Sequence, residues 1–365
     1  MAETTRRARS SQHSAARSLG RGGVLPHPRR LIEIGPHGDA HWAALRAGIA
    51  VAVPLVVLYS TDHMQLALYA AFGAFTALYG RTHTHVTRAR MQATAGVGLL
   101  LAVVAGTAVS AFGMRDWLIL LLVSVMASAM TFVSDVLNWH PPGALFFVFA
   151  MAACASVPAT PFDIVLALAT ASVSAAFAMA ISTVGVTVPR WRSRRPTRLV
   201  ISFRATATRP GEPLRVLSAG VAVLAAGAIP TVIGMGHPYW AMVAASAALG
   251  AADTTGHLVR AGQRVLGTLL GVALTALLLA VSTDALEIIA FVVLLQIGAE
   301  LFVMRNYGLA MIFVTPLALL MTQLARPLSA GVLLRDRMTE TLLGAAVGIA
   351  VSLVGAAVAN RSSRE

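Results

Sequence analysis

Long apolar segments alternate with short polar ones along most of this chain. Six apolar runs lie before residue 190, at about 43–59, 64–80, 91–113, 117–136, 142–158 and 162–188. Six more follow residue 213, at about 216–234, 237–252, 265–282, 285–304, 307–325 and 338–358. At about 1.5 Å per helical residue, most of these runs can cross an apolar layer of about 30 Å. Because no run alternates as a barrel strand would, we predict membrane-spanning helices.

The few polar residues within the two sets of runs recur at matching distances. Arg90 follows His63 by 27 residues, and Arg264 follows His237 by the same 27. Further matching pairs are Thr94 with Thr268, Asp135 with Glu300, and Gly143 with Gly308. This spacing indicates two copies of one unit. Since each unit has an even number of helices, the copies are predicted to be parallel repeats around an axis along the membrane normal.

The predicted fold class is therefore all-α, a polytopic membrane protein with about 12 transmembrane helices in two parallel six-helix repeats. The predicted segments are a disordered basic cytoplasmic tail (1–40), membrane repeat 1 (41–189), an arginine-rich cytoplasmic linker (190–213), membrane repeat 2 (214–360) and a short cytoplasmic tail (361–365). A linker of this length is too short to fold as a domain.

Composition supports the membrane class and narrows the partners. Hydrophobic residues make up 57% of the chain and charged residues only 12%, which excludes a water-soluble protein. The formal net charge of +13 comes from arginines outside the apolar runs, since lysine is absent. We interpret this charge as topology and contact with the lipid bilayer, not as nucleic-acid binding. The single cysteine, Cys154, excludes an internal disulfide.

The distribution of arginines predicts the orientation. With the amino terminus in the cytoplasm, 24 of the 28 arginines lie on the cytoplasmic side. The four on the outer side are Arg115, Arg326, Arg335 and Arg337. Three of them share the loop before the last helix, which marks either an anion entry or exit or a misplaced helix boundary. The predicted location is the inner (plasma) membrane, with both termini cytoplasmic.

Two acidic residues are candidates for proton coupling. Asp135 and Glu300 lie near the cytoplasmic end of the fourth helix of each repeat, and His140 and Arg305 follow them by five residues. Acidic groups at membrane depth are costly and usually face a cavity, a partner or a proton path. The alternative is an ion pair that fixes helix packing. A shared position in both repeats is compatible with either role.

His63 and His237 are further candidates for proton coupling, because each begins the second helix of its repeat. A histidine there titrates near neutral pH and can gate the entry of protons. The alternative is a histidine that simply begins a helix at the membrane interface.

Four arginines are candidates for binding an anionic substrate. Arg90 and Arg264 open the third helix of each repeat, and Arg46 and Arg215 lie near the start of the first. A guanidinium group can hold a carboxylate through two hydrogen bonds, although such arginines also serve as cytoplasmic anchors. The hydroxyl groups one turn after the first two arginines are Thr94 and Thr268. Small residues that would allow close helix packing are Gly267, Gly271, Gly344 and Gly348.

Several enzyme signatures are absent from the sequence. Without lysine there is no phosphate-binding loop ending in Gly-Lys-Ser/Thr, and no Gly-x-Ser-x-Gly or His-Glu-x-x-His motif occurs. His83 and His85 have metal-like spacing but no carboxylate or cysteine beside them. The sequence therefore does not predict an enzyme, a cofactor or a metal site.

Three segments resemble the fusaric acid resistance (FUSC) family. They are residues 236–241, 264–271 and 307–320, and the resemblance is strongest over 236–350 and weaker at 69–75. The family includes aromatic carboxylic acid exporters and is distantly similar to plant aluminium-activated malate channels, so the resemblance implies a membrane transporter. Larger relatives are expected to carry a soluble domain after each six-helix block, where this chain has a short arginine-rich linker.

The resulting hypothesis is proton-coupled efflux of small aromatic organic acids. The arginines would attract the carboxylate, and Asp135 and Glu300 would carry protons inward. Two alternatives stay open, a passive organic-anion channel and a non-transporting accessory protein of an envelope complex. The expected partners are the lipid bilayer, a small organic anion and protons, with no nucleic acid. Both a monomer and a homo-oligomer are compatible with the sequence.

Overall fold

The computed structural model describes residues 29–35, 40–81, 83–184, 203–251, 254–281, 284–325 and 329–362, and these residues form helices, turns and loops without a strand. In chain order the helices are α1 (Arg29–Ile32), α2 (Ala40–Ser60), α3 (Ala67–Ala74), α4 (His85–Ala111), α5 (Asp116–Val136), α6 (Leu145–Ala155), α7 (Pro161–Val184), α8 (Phe203–Ala207), α9 (Glu212–Val232), α10 (Tyr239–Ala248), α11 (Thr254–Val281), α12 (Ala285–Phe302), α13 (Tyr307–Ala325) and α14 (Ala330–Ser362). Two 3-10 turns, Met64–Leu66 and Phe75–Leu78, flank α3.

Nine of the described helices are long and apolar enough to cross a membrane, namely α2, α4, α5, α7, α9, α11, α12, α13 and α14. The predicted all-α, multi-pass membrane fold is therefore confirmed. Each of the other three predicted runs also contains a helix, but these helices are shorter. Prolines precede two of them, since Pro141 and Pro142 precede α6 and Pro238 precedes α10, while α3 is flanked by the two 3-10 turns. Ten residues span only about 15 Å, so α10 does not cross an apolar layer alone.

The helix pairs within one half recur in the other half. Helix α3 packs against α7 and α10 packs against α14, while α4 pairs with α6 and α11 pairs with α13. Between the halves the contacts are reciprocal, because α2 packs against α12 and α9 packs against α5. The first helix of each half thus rests on the fourth helix of the other half.

Glycine permits close packing at both of these contacts between the halves. A Cβ atom on Gly48 of α2 would lie 2.6 Å from Cγ1 of Ile297 on α12. A Cβ atom on Gly220 of α9 would collide with the Ser128 side chain on α5. Small residues at such positions let helix backbones approach closely, so these two glycines bring the halves together.

Two helices of the second half begin earlier than the apolar runs predict. Helix α14 begins at Ala330 instead of 338, so Arg335 and Arg337 are helical, and the predicted outer loop with three arginines is corrected. Arg326 lies outside the described residues. Helix α11 begins at Thr254 instead of 265. Both boundaries were misplaced because arginines on a buried helix face interrupt the apolar run without ending the helix.

Residues 29–35 are folded against the rest of the molecule, although they fall within the predicted disordered tail. The Asn306 side chain donates hydrogen bonds to the carbonyl oxygens of Leu31 and Glu33, at 2.9 and 3.0 Å. The backbone N–H of Gly35 donates to the Arg305 carbonyl oxygen at 2.9 Å. The rest of that tail, residues 185–202 of the linker region and residues 363–365 lie outside the described residues. Helix α8 lies within the segment predicted as the linker.

Candidate functional site

The helices of both halves enclose a chamber with a volume of about 1240 Å³. Aromatic and aliphatic side chains form most of its wall, and charged side chains lie among them. The charged lining residues are Arg81, Asp135, Arg209, Arg215, Arg260, Arg264, Glu300 and Arg337. The lining includes residues at both ends of the helices, from Arg209 before α9 to Val157 after α6. A chamber of this kind is the default location of a ligand site in a membrane bundle.

Two arginines of α11 gather around Tyr307 in this chamber. Arg264 is 2% exposed, and its Nη1 donates a hydrogen bond to the Tyr307 hydroxyl at 2.8 Å. The Cζ atom of Arg260 lies 4.2 Å from the centroid of the Tyr307 ring. The Tyr307 hydroxyl accepts from Arg264, so its own proton remains available to a ligand.

A third arginine, Arg337 of α14, lies in the chamber wall and forms no ion pair with a carboxylate among the described residues. It is 1% exposed, and its Cζ lies 4.0 Å from the centroid of the Trp240 ring. Among the described residues, its Nε and Nη1 atoms have no hydrogen-bond partner, and neither has Nε of Arg264. Arg264 and Arg337 also lie within electrostatic range of each other. Because buried charges and donors without partners are costly, this pair of guanidinium groups is suited to receive an anion.

Two carboxylates and a histidine lie beside Arg337. His237 Nδ1 is 2.9 Å from Asp336 Oδ2, and the His237 backbone N–H donates to Glu340 Oε1 at 2.9 Å. Asp336 and Glu340 are one turn apart on α14, 4% and 0% exposed. Within the described part of the chain, Glu340 Oε2 has no partner. We refer to His237, Asp336 and Glu340 as the acidic cluster.

The two carboxylates predicted to couple protons, Asp135 and Glu300, line the chamber as members of ion pairs. Asp135 of α5 pairs with Arg215 of α9, and Arg215 is also 3.2 Å from Glu212. Glu300 Oε2 lies 2.8 Å from Nη1 of Arg81, which belongs to the turn before α4.

Neither carboxylate forms an ion pair with the residue that follows it by five positions, His140 or Arg305, among the described residues. Arg305 donates from Nε to the Gly35 carbonyl oxygen instead, at 3.1 Å. Five residues after Asp135 or Glu300 the helix has already ended, so the cations come from elsewhere in the fold. These ion pairs favour the alternative interpretation, in which Asp135 and Glu300 fix helix packing.

Replacing Glu300 by Gln should destabilise the protein, because the largely buried Arg81 would lose its anion. We expect a loss of about 3–5 kcal/mol, as for other buried pairs broken on one side. Thermal unfolding in detergent measures it. The double variant Arg81→Gln/Glu300→Gln should recover part of the loss, since neither charge then stays unpaired. A double variant less stable than Glu300→Gln alone would contradict this role of the pair.

The candidate anion-binding residues of the first half lie in different surroundings from their counterparts. Arg90 is exposed on α4 and does not line the chamber, whereas Arg88 is buried and donates to the Ser182 carbonyl oxygen at 2.6 Å. Arg46 is half-buried within electrostatic range of Glu300. Of the four arginines proposed from the sequence, the chamber therefore brings together only Arg215 and Arg264.

The two threonines also differ in exposure. Thr94 is exposed and accepts a hydrogen bond from Trp139 Nε1 at 2.9 Å. Thr268 is 1% exposed, and its hydroxyl lies 3.5 Å from that of Thr315 on α13. Neither threonine is among the residues that line the chamber. Thr94 contacts the segment just before α6, the fifth helix of the first half, and Thr268 contacts α13, the fifth helix of the second half.

The two histidines proposed for proton coupling have separate environments. His63 is exposed in the turn after α2, where its Nδ1 faces the Thr61 carbonyl oxygen. His237 lines the chamber and contacts the buried carboxylates Asp336 and Glu340. Equal spacing in sequence thus leads to different surroundings, because His237 contacts two carboxylates and His63 faces a carbonyl oxygen.

The four glycines lie at contacts between helices of the second half. A Cβ atom on Gly271 of α11 would be 2.6 Å from Cβ of Thr315 on α13, and one on Gly267 would meet the Gly308 carbonyl oxygen. On α14, a Cβ atom on Gly344 or Gly348 would be 2.8 Å from an alanine Cβ of α10. These contacts hold the helices that carry Trp240, Arg264 and Arg337.

The sequence interpretation missed several residues of the site. Arg260, Asp336, Glu340 and Trp240 were not proposed, and Arg337 was noted only as one of three arginines in a predicted outer loop. One signal was available: Asp336, Arg337 and Glu340 share a helical face at the start of an otherwise apolar segment. In the part of the chain that the structure describes, no group of three His, Cys, Asp or Glu residues is arranged to hold a metal ion.

Comparisons with known proteins place this region among membrane proteins. Residues 224–351 match the family described as fusaric acid resistance protein-like. A relative is the uncharacterized membrane protein YvaC of Bacillus subtilis (strain 168), 30% identical over 137 residues, which are 37% of this chain and 22% of that protein. The chain thus matches about a fifth of the length of this curated relative. No solved structure matches the chain.

The matched segment contains the acidic cluster and the residues around the buried arginines, namely Trp240, Arg260, Arg264, Tyr307 and Arg337. It also contains the residues that carried the resemblance in the sequence. That resemblance is therefore confirmed: the chain is a multi-pass membrane protein, and its residues 224–351 match the fusaric acid resistance protein-like family.

Proposed function

We propose that the chain transports small organic anions through the chamber. The observation that carries this proposal is the buried pair Arg264 and Arg337, whose guanidinium groups line the chamber with donor atoms left unpartnered within the described residues. A carboxylate between them would accept these hydrogen bonds and compensate both charges. Tyr307 and Trp240 add a hydroxyl and an indole N–H at the same place.

The wall of the chamber favours anions that carry an aromatic or apolar body. Phe149 lies beside Trp240, with 5.5 Å between the centroids of the tilted rings, and the ring of Tyr239 lies 4.5 Å from that of Trp240. Aromatic walls with a few convergent polar groups are typical of sites for small molecules. The resemblance to a family that includes aromatic acid exporters agrees with this substrate class. An aromatic carboxylate is therefore the first ligand to test.

The reciprocal helix contacts support the proposal of two parallel repeats related by a pseudo-twofold axis. Each half contributes its first helix to the fourth helix of the other half, as two copies around one axis would. Two such repeats can rock against each other around a central site, which is a common route to alternating access. The arginine bias supports cytoplasmic termini in an inner-membrane location.

The alternative functions make different demands on the chamber. An accessory protein needs a packed core, whereas this chamber contains charged residues drawn from both halves. A passive channel needs the arginines without any coupling to protons. Coupling and the efflux direction proposed from the sequence therefore need a measurement of flux.

The test is flux of radiolabelled benzenesulfonate, which stays charged, into inverted membrane vesicles. Three conditions are compared, with the lumen more acidic than, equal to or more alkaline than the bath, and vesicles without the protein are subtracted. Accumulation of benzenesulfonate in an acidic lumen would support efflux in exchange for protons. Accumulation in an alkaline lumen would support co-transport with protons. Equal equilibration in all three would indicate a channel. No flux of benzenesulfonate or 4-hydroxybenzoate would overturn the proposal in favour of an accessory role.

A further inference from the structure

The acidic cluster holds a second group of charges beside the chamber, and the sequence assigned no role to its two carboxylates. It contains two buried carboxylates, Asp336 and Glu340, one turn apart on α14. Arg337 lies between them in sequence, yet no ion pair joins it to either carboxylate within the described residues. The cluster thus holds buried negative charge beside a buried guanidinium group that remains open toward the chamber.

We propose that Glu340 is the proton-binding site of this protein and that its proton is bound together with the transported anion at Arg337. This inference rests on the proposed function, because it concerns the coupling of the same anion site. It moves the proton-carrying role from the ion-paired Asp135 and Glu300 to the unpaired Glu340.

The two oxygen atoms of Glu340 have different surroundings. Oε1 accepts the hydrogen bond from the His237 backbone N–H, as a carbonyl oxygen of a neutral carboxyl group can. Oε2 has no partner in the described structure, so this atom is free to carry a proton. A fully buried carboxylate oxygen without a donor is costly, and protonation removes that cost. The geometry therefore accommodates the neutral form of Glu340 without rearrangement.

Every charged or titratable group that faces Glu340 affects this equilibrium. Asp336 and Arg337 face it from its own helix, His237 and Tyr239 from the segment that begins α10, and Arg264 and Tyr307 face the neighbouring Arg337 from α11 and α13. Asp336 Oδ2 is 2.9 Å from His237 Nδ1, and a protonated His237 ring would compensate the negative charge of Asp336. Glu340 accepts a hydrogen bond from the His237 backbone N–H, lies near that of Trp240, and forms no ion pair among the described residues. Of the two carboxylates, Glu340 is thus the one whose charge depends on Arg337.

The sign of the coupling follows from charge balance around Arg337. When Glu340 is ionised, its negative charge partly compensates Arg337 and repels an incoming anion. When Glu340 is protonated, Arg337 is uncompensated and attracts the anion more strongly. By linkage, the bound anion also raises the affinity of Glu340 for a proton. Proton and anion are therefore loaded together, which is the coupling of a co-transporter and the opposite of exchange.

The test measures benzenesulfonate binding to purified protein in detergent at about pH 5.5 and about pH 7.5, on either side of the ordinary pKa of histidine. Because the sulfonate stays ionised, any pH dependence belongs to the protein. The wild-type affinity should rise about tenfold or more on acidification, since one linked proton can change affinity up to about tenfold per pH unit. Glu340→Gln should bind at both pH values as tightly as the wild type does at the lower one.

His237→Gln is the matched variant for the neighbouring titratable group, because it keeps the backbone N–H that contacts Glu340. It should retain the pH dependence. Undiminished pH dependence in Glu340→Gln, its loss in His237→Gln alone, or weaker binding at low pH would overturn the inference. No benzenesulfonate or 4-hydroxybenzoate binding by the wild type at either pH would instead overturn the proposed function.

A second measurement needs no variant. Calorimetric titration of the wild type with benzenesulfonate, in two buffers of different ionisation enthalpy, counts the protons exchanged on binding. Net uptake of protons is expected. Release of protons, or no exchange across the pH range, would overturn the inference even if Glu340→Gln does not fold.

Discussion

Replacing Arg337 by Gln should weaken binding of 4-hydroxybenzoate by about 10- to 100-fold, which corresponds to about 1.5–3 kcal/mol for a hydrogen bond to a charged group. The change removes a buried charge that no described carboxylate pairs with, so an anion loses its strongest attraction in the chamber. Equilibrium binding to the purified protein, followed by quenching of tryptophan fluorescence, measures the effect. Trp240 is a suitable reporter because its ring stacks on Arg337.

Arg335→Gln is the matched control for this variant. Arg335 lies two residues earlier on the same helix, and its side chain is 74% exposed. The control removes the same charge from the chain, together with the 3.5 Å contact between Arg335 and Asp336, but it removes no side chain that lines the chamber. Binding should therefore stay within about twofold of the wild type, as for other screened surface charges. Equal losses in the two variants would show that net charge, and not the buried guanidinium group, determines binding.

Replacing Gly344 by Ala should destabilise the protein by about 1–3 kcal/mol, the usual cost of overpacking. The added Cβ would collide with the Ala241 carbonyl oxygen and lie 2.8 Å from Cβ of Ala244, so α14 would have to move away from α10. These two helices carry Arg337 and Trp240, and the anion affinity should fall together with the stability. The melting temperature in detergent and the affinity for 4-hydroxybenzoate measure the two effects.

Gly331→Ala provides the comparison on the same helix. No atom lies within 4 Å of the position its Cβ would occupy. Alanine favours a helix over glycine by about 1 kcal/mol, so this variant should be as stable as the wild type or slightly more stable. A Gly344→Ala protein with an unchanged melting temperature would show that the α10 and α14 backbones are not in close contact.

The positions of the helices could be predicted from the sequence because hydropathy reports membrane depth directly. Every predicted apolar run contains a described helix, including the short runs that give α6 and α10. The starts of α11 and α14 could not be predicted in the same way. Their first three turns carry Arg260, Arg264, Arg335 and Arg337. Hydropathy does not distinguish an arginine that faces a chamber from one that ends a helix.

The ionic partners of the site could not be predicted because they depend on contacts between the halves. Asp135 and Arg215 are eighty residues apart in sequence, and Glu300 meets Arg81 from the first half. The repeat indicated which positions of the two halves correspond. It did not indicate that the corresponding residues differ in burial and in their neighbours. Arg90 is exposed where Arg264 is buried, and His63 lacks the carboxylate neighbours of His237. Placement in three dimensions therefore selects the second half as the location of the anion site.

The most direct test of the central claim is to locate a bound anion in a crystal of the protein grown with 4-iodobenzoate, using the anomalous scattering of iodine. We predict a single strong peak inside the chamber near Phe149 and Trp240, with the carboxylate within hydrogen-bond distance of Arg264 and Arg337. Soaking the Arg337→Gln variant under the same conditions should abolish this peak. Iodine density only at the exposed arginines Arg209 and Arg215, or only along the lipid-facing surface, would contradict the claim that the buried arginine pair binds the anion.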